Sequence, residues 1–300
     1  MPPSASGSSG NAMETVTLPP DRLLELWESV EKGQLSELEF ACTEATMLHE
    51  YFKIWERALI LDGERELEDS LLAELSLYFT NHDVTEIRRR CLAAVSTLGD
   101  QWRTDVDPGD PASVESFYDK SEAYIYDLMW WHTLRDDLDP LVYVLALDFA
   151  NRHGARDCMD FGAGVGAGPI LFARHGMNVA MADISSSLLE FSEWRFSLRE
   201  LPVRIIDSKV DGLPAEAFDT VTSMGTFEHL LDPVDAVERL WDSLRPGGFL
   251  LGEFHTKPDP DLPQHIVEDF ARMFERMKEL GFVEVWRDDW FWGLVAFQKT

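Results

Sequence analysis

Two carboxylates bracket a run of glycines, Asp160-Phe-Gly162-Ala-Gly164-Val-Gly166-Ala-Gly168, with Asp183 closing the apolar stretch that follows. Glycine serves where the backbone takes positive φ or must lie against a ligand without a Cβ between them. A helix starting there directs unpaired N–H groups into the same crevice. An acid at the end of the next strand can accept hydrogen bonds from both hydroxyls of a ribose. The chemistry these residues offer is the holding of a nucleotide-like ligand. Further on, Glu228, His229, His255 and His265 are groups that can take up a proton.

These residues need elements to position them, and the pattern supplies a β-turn-α-β unit. An apolar strand over 156–161 runs into the glycine turn, a helical pattern runs from Pro169 to His175, and a second strand ends at Asp183. A helix over 185–200, a third strand over 202–207 and a fourth from Phe218 follow. Then come a helix over 234–244, a strand over 249–254, a helix over 266–280 and a closing hairpin of segments 281–286 and 294–299. This alternation predicts an α/β, doubly wound, mostly parallel sheet with a closing antiparallel hairpin. Strand ends then place Glu228, His229, His255 and His265 at the carboxyl edge of the sheet, where they can converge.

The glycine pattern alone leaves two ligands open, because Gly162 to Ala167 also satisfies the dinucleotide fingerprint. Asp160 discriminates between them. A carboxylate there repels a pyrophosphate and attracts the ammonium or sulfonium of S-adenosylmethionine. Asp160-x-Gly162-x-Gly164-x-Gly166 resembles the first motif of the class I (Rossmann-like) S-adenosylmethionine-dependent methyltransferases, of the small-molecule type. Phe218-Asp219, the Glu228-His229 pair, Asp232-Pro233 and the turn Arg245-Pro246-Gly247-Gly248 extend the resemblance over about residues 112 to 300.

The resemblance implies a seven-stranded sheet and a soluble enzyme that uses S-adenosylmethionine and releases S-adenosylhomocysteine. It places Asp160, Gly162, Gly164, Gly166, Asp183, Ile184, Asp207, Ser208 and Tyr118 around the cofactor, with Asp207 toward the adenine amino group and Asp211 as its substitute. His229, Glu228, His255 and His265 are the candidate catalytic groups, and His229 could equally brace the loop beneath the cofactor. No metal is expected: the Glu-x-x-Glu-His set of related quinone-pathway enzymes has Gly225 at its first position here. Two other classes remain open, an NAD-dependent oxidoreductase and a catalytically silent protein that binds the cofactor and acts through its helical part.

Residues 1–20 read as a tag or disordered leader, without the basic start and apolar centre of a signal peptide. Residues 21–100 read as an all-α domain with apolar stripes at Leu23, Leu24, Trp27, Val30 and at Phe40, Met47, Leu48, Phe52, Trp55, Leu59, its last helix stopping at Gly99. Residues 101–135 read as a linker and aromatic lid carrying Tyr118, Tyr124 and Tyr126, and 136–300 as the methyltransferase domain. The helical domain is expected to control acceptor access and to offer a surface for a homodimer, with no part in cofactor chemistry. Trp286, Trp290, Phe291 and Trp292 are expected to wall the acceptor site. The balance of 26 basic against 55 acidic residues, a formal charge of −29, repels phosphate backbones and anionic surfaces, so a small-molecule acceptor is expected rather than nucleic acid or membrane. Three cysteines without CxxC spacing, Cys42, Cys91 and Cys158, point to a reduced, cytoplasmic setting.

Overall fold

The computed structural model describes residues 21–80, 83–134, 139–254, 262–267 and 269–300. Four helices lead: α1 (Asp21–Glu31), α2 (Glu37–Leu59), α3 (Leu67–Tyr78) and α4 (Val84–Asp105). The capping box is present at α2, where Ser36 Oγ accepts from Glu39 N at 3.2 Å and Glu39 returns the contact to Ser36 N at 2.9 Å. Asp83 caps α4 through Glu86 N at 2.8 Å. The sequence-based stop at Gly99 does not occur. Gly99 lies buried inside α4, which runs on to Asp105 because Trp102 buries its ring edge-on to Phe117, centroids 5.1 Å apart.

Next come the lid helices α5 (Pro111–Lys120) and α6 (Ala123–Trp130), then α7 (Val142–Arg152), β1 (Asp157–Phe161), α8 (Ala167–Arg174), β2 (Asn178–Asp183), α9 (Ser186–Leu198) and β3 (Arg204–Asp207). The chain ends with β4 (Phe218–Ser223), α10 (Pro233–Ser243), β5 (Leu244–Gly252), α11 (Ala271–Leu280), β6 (Phe282–Arg287) and β7 (Val295–Lys299). The seven strands lie in the order β3-β2-β1-β4-β5-β7-β6. Pairs from β3 to β5 are parallel, and β7 runs antiparallel to both β5 and β6. The expected fold class is therefore the observed one.

Register does the positioning. Asp160 lies opposite Thr222 across β1 and β4, and Asp183 opposite Asp207 across β2 and β3, so the glycine turn and the strand-end acids share one edge. Alternation along β1 sends Met159 and Phe161 to the core under α10 and α11, and Cys158 to the core under the helical segment. That second core is continuous: Leu23, Phe40, Met47, Phe52, Trp55 and Leu59 belong to one cluster with Ile170, Leu171 and Phe191. The stripes on α1 and α2 thus pack mainly against this chain's own domain.

The helix expected from Ile266 begins only at Ala271. The N–H groups of Ile266 and Val267 are taken instead by the Glu228 carbonyl, at 2.9 and 3.1 Å, which holds 262–267 as a strap that includes a turn closed by His265 N on the Leu262 carbonyl at 3.0 Å.

Candidate active site

A cavity of about 430 Å³ opens at the carboxyl edge of the sheet. The glycine turn forms its floor. Gly162, Gly164 and Gly166 all have positive φ, at +73°, +55° and +73°, and a Cβ on Gly162 would meet the Thr226 side chain at 2.3 Å. A Cβ on Gly164 would meet Leu128 of α6 at 2.8 Å, so the lid helix lies directly on the turn. The glycines are required by the turn's own conformation and packing as well as by any ligand.

Asp183 stands on the cavity wall with Ile184, Ser185 and Ser208. Its carboxylate accepts from Gly164 N and Ser185 N, both at 2.9 Å, and burial raises its pKa against these donors. Each oxygen keeps a further lone pair for a ligand hydroxyl. Ser208 Oγ is buried without a hydrogen-bond partner among the described residues, an open polar position beside the acid. Asp207 is placed differently from expectation. It is not on the wall, and its Oδ1 accepts from Lys209 N at 2.9 Å in a local turn.

Asp160 is fully buried beneath the floor and does not line the cavity. It accepts from Thr222 Oγ1 at 2.6 Å and from the Tyr143 hydroxyl at 3.3 Å. Burial raises its pKa to about 7, with the two hydrogen bonds pulling the other way. Any action of Asp160 on a cofactor is through the field rather than by contact. Below about pH 7 the carboxyl keeps its proton. A cation bound above it favours the ionised form, so binding releases that proton and affinity rises as pH climbs through this value. The affinity ratio of S-adenosylmethionine to S-adenosylhomocysteine, which lacks the sulfonium charge, should rise likewise; titrations in which Asp160→Asn keeps the wild-type pH slope would refute this.

The opposite wall holds Glu228, His229, Gln264 and His265. His229 Nδ1 lies 3.1 Å from the Gln264 carbonyl oxygen and 3.1 Å from the Tyr118 hydroxyl, which itself donates to the same carbonyl at 3.2 Å. A carbonyl has no proton to give, so Nδ1 carries the hydrogen and Nε2 is left with its lone pair. Burial pushes the His229 pKa down to about 3, helped by His265, whose ring stands edge-on with centroids 4.7 Å apart. The imidazole is therefore neutral at ordinary pH. One ligand atom each from Glu228, His229 and His265 lie within 4.8 Å of one another, a spacing a divalent ion can bridge. His255 lies outside the described residues.

Several contributors escaped the sequence reading. Asp119, next to Tyr118 on α5, accepts from Ser186 N at 2.9 Å and Lys209 Nζ at 2.5 Å, and Lys209 holds its carboxyl down at about 2. It pins the lid across the cavity, so that Tyr118 can reach His229. Tyr143, Thr222 and Gln264 carried no motif. Asp127 of α6 also lines the cavity, buried, with Oδ1 unpartnered among the described residues. The tryptophan cluster is not on the wall. Trp290 Nε1 donates to Glu44 of α2 at 2.8 Å and Trp292 stacks on Tyr51 at 6.2 Å, so this loop seals the helical segment to the sheet. From that segment only Val95 and Leu98 of α4 reach the cavity among the described residues.

This strand order, with a glycine turn after β1 and an acid closing β2, is a doubly wound, Rossmann-like arrangement. Residues 159–252 match the family model described as a methyltransferase domain, and the chain carries that domain. The ubiquinone biosynthesis O-methyltransferase of Chromobacterium violaceum is 30% identical over 129 residues, covering 40% of this chain and 55% of that protein. The tRNA U34 carboxymethyltransferase of Methylococcus capsulatus is 31% identical over 129 residues, 41% of this chain and 36% of that one. Among solved structures, the phosphoethanolamine N-methyltransferase 2 of Haemonchus contortus in complex with S-adenosyl-L-methionine aligns with a TM-score of 0.46 and 21% identity, over 57% of this chain and 44% of that chain. The chain spans about half, or less, of the length of the curated relatives it matches. Among the described residues no helix is long and apolar enough to cross a membrane.

Proposed function

We propose that this protein transfers the methyl group of S-adenosylmethionine to a hydroxyl or amine of a small molecule held between the lid and the strap over 262–267. The observation that carries the reading is the pairing, in one cavity, of a positive-φ glycine floor and Asp183 with a neutral imidazole whose Nε2 lone pair is unengaged by the Gln264 carbonyl. The residues fit the cofactor: Gly162 and Gly164 present bare backbone to the cavity, Asp183 keeps lone pairs for ribose hydroxyls, and Ser208 Oγ is unpartnered among the described residues. When bound, the cofactor supplies an electrophilic methyl on sulfur. The chain's part is to orient the acceptor, exclude water beneath α5 and α6, and take at His229 Nε2 the proton that a hydroxyl acceptor releases as the methyl group arrives, when its oxygen is acidic enough for an imidazole whose pKa is about 3. The formal charge of −29 favours a small acceptor over a tRNA, although four relatives act on tRNA by name.

Incubating the protein and cofactor with a metabolite extract should give a mass gain of about 14 daltons on small molecules, the replacement of a hydrogen by a methyl group. A gain confined to RNA, or calorimetric heat with NAD and none with S-adenosylhomocysteine, would overturn the reading. A second reading, in which Glu228, His229 and His265 hold a divalent ion that orients the acceptor, is favoured by their clustering. Activity unchanged after chelation removes it. We also propose a homodimer through exposed parts of the helical segment such as Leu38 and Leu92, tested by sedimentation.

A further inference from the structure

The helical segment reaches the glycine turn through a chain of buried charges. Glu74 of α3 is fully buried, as is Arg195 of α9. Its Oε2 receives Arg195 Nε at 2.7 Å and Arg199 NH1 at 2.9 Å, and its Oε1 receives Arg199 NH2 at 2.6 Å. Burial alone would raise the Glu74 carboxyl; the two guanidinium groups more than offset it and hold it ionised. Arg195 then uses its remaining NH1 to donate to the Val165 carbonyl at 2.6 Å, and Val165 is the residue between the left-handed Gly164 and Gly166. Arg199 NH2 closes the other end on the Leu59 carbonyl of α2 at 2.8 Å.

An arginine is a flexible side chain, and its orientation costs entropy unless its planar fork is held from both sides. Here Glu74 holds one side, so that the other meets the Val165 carbonyl in a fixed direction. Ser192 Oγ adds a hydrogen bond to the Gly164 carbonyl at 3.0 Å from the same face of α9. The same segment touches the floor a second time: Trp55 of α2 stacks on Tyr143 at 5.9 Å, and Tyr143 donates to Asp160.

We infer that Glu74 is a positioning residue for the cofactor turn: by fixing Arg195 against the Val165 carbonyl it makes the helical segment part of the cofactor-binding unit. This rests on the reading that the cavity binds S-adenosylmethionine. It departs from the expectation that residues 21–100 take no part on the cofactor side. Removing the carboxylate would leave the two buried guanidinium groups uncompensated and free Arg195 to leave the Val165 carbonyl.

The test titrates S-adenosylhomocysteine into the full chain, into Glu74→Gln and into Glu68→Gln, a control on the same helix whose ion pair with Arg88 is half-exposed. Glu74→Gln should weaken binding by about tenfold or more and raise the KM for the cofactor, leaving the acceptor KM as it was. Glu68→Gln should match wild type. Hydrogen exchange keeps the inference falsifiable where Glu74→Gln fails to fold: by reciprocity, S-adenosylhomocysteine must slow exchange in α3 of the wild-type protein. A folded Glu74→Gln with unchanged affinity, or α3 exchange indifferent to the bound ligand, overturns the inference. Absence of any S-adenosylhomocysteine binding by wild type overturns instead the function on which it rests.

Discussion

Turnover by a His229→Ala variant should fall by about 10²- to 10⁴-fold, the span attributed to a positioned acid or base, while affinity for S-adenosylhomocysteine stays as in wild type. The two parts of the expectation come from separate contacts. His229 touches the strap and the lid through Gln264 and Tyr118, whereas the floor and Asp183 hold the cofactor side. Tyr118→Phe is the informative companion. It removes one donor to the Gln264 carbonyl but leaves Nδ1–H bonded there, so the tautomer survives and the loss should be smaller. The His229 pKa of about 3 adds a pH signature. Its folded value is depressed, so the ring stays neutral down to that pH, and kcat at saturating cofactor should show no histidine limb between about pH 5 and 8, where an ordinary imidazole titrates. Equal losses of kcat and of cofactor affinity in His229→Ala would mean that the ring braces the floor and takes no proton.

The parts of this site that local sequence could show were those governed by local rules. Glycines at 162, 164 and 166 announce positive φ because no other residue tolerates it cheaply, and all three have it. The β-α-β pattern and the hairpin made the fold class legible through periodicity, while the strand order came from the structure. What the sequence hid was set by register and by long-range packing. Thr222 meets Asp160 only because β1 and β4 pair at that level, and no spacing rule links residues so far apart. Glu74 reads as one more acid on a charged helix, yet it is buried by two arginines from α9. Gly99 carried a stop signal that the burial of Trp102 overrode. Ile266 and Val267 read as the start of a helix, but their amides had a better acceptor in the Glu228 carbonyl.

Asp183→Asn should weaken S-adenosylhomocysteine binding by about 2–3 kcal/mol, close to the loss in Asp183→Ala, and the near-equality of the two is the discriminating result. A carboxylate here performs two tasks at once. Its oxygens accept from Gly164 N and Ser185 N, at 2.9 Å each, and remain able to accept ribose hydroxyls. An amide has one acceptor oxygen, so turning it toward Gly164 N–H points its own NH₂ at Ser185 N–H, and turning it the other way reverses the clash. The isosteric variant therefore disturbs the turn as well as the ribose contact, and alanine, which leaves space for water, is no worse. Asp207→Ala offers the contrast. Its carboxylate serves a local turn through Lys209 N and is not on the cavity wall, so it should change affinity by less than about 1 kcal/mol, the worth of one ordinary hydrogen bond. Calorimetry on the three variants separates the outcomes: an Asn variant that binds like wild type would show that neither the charge nor the second acceptor oxygen of Asp183 is needed for binding, and a large loss at Asp207 would return the adenine contact to β3.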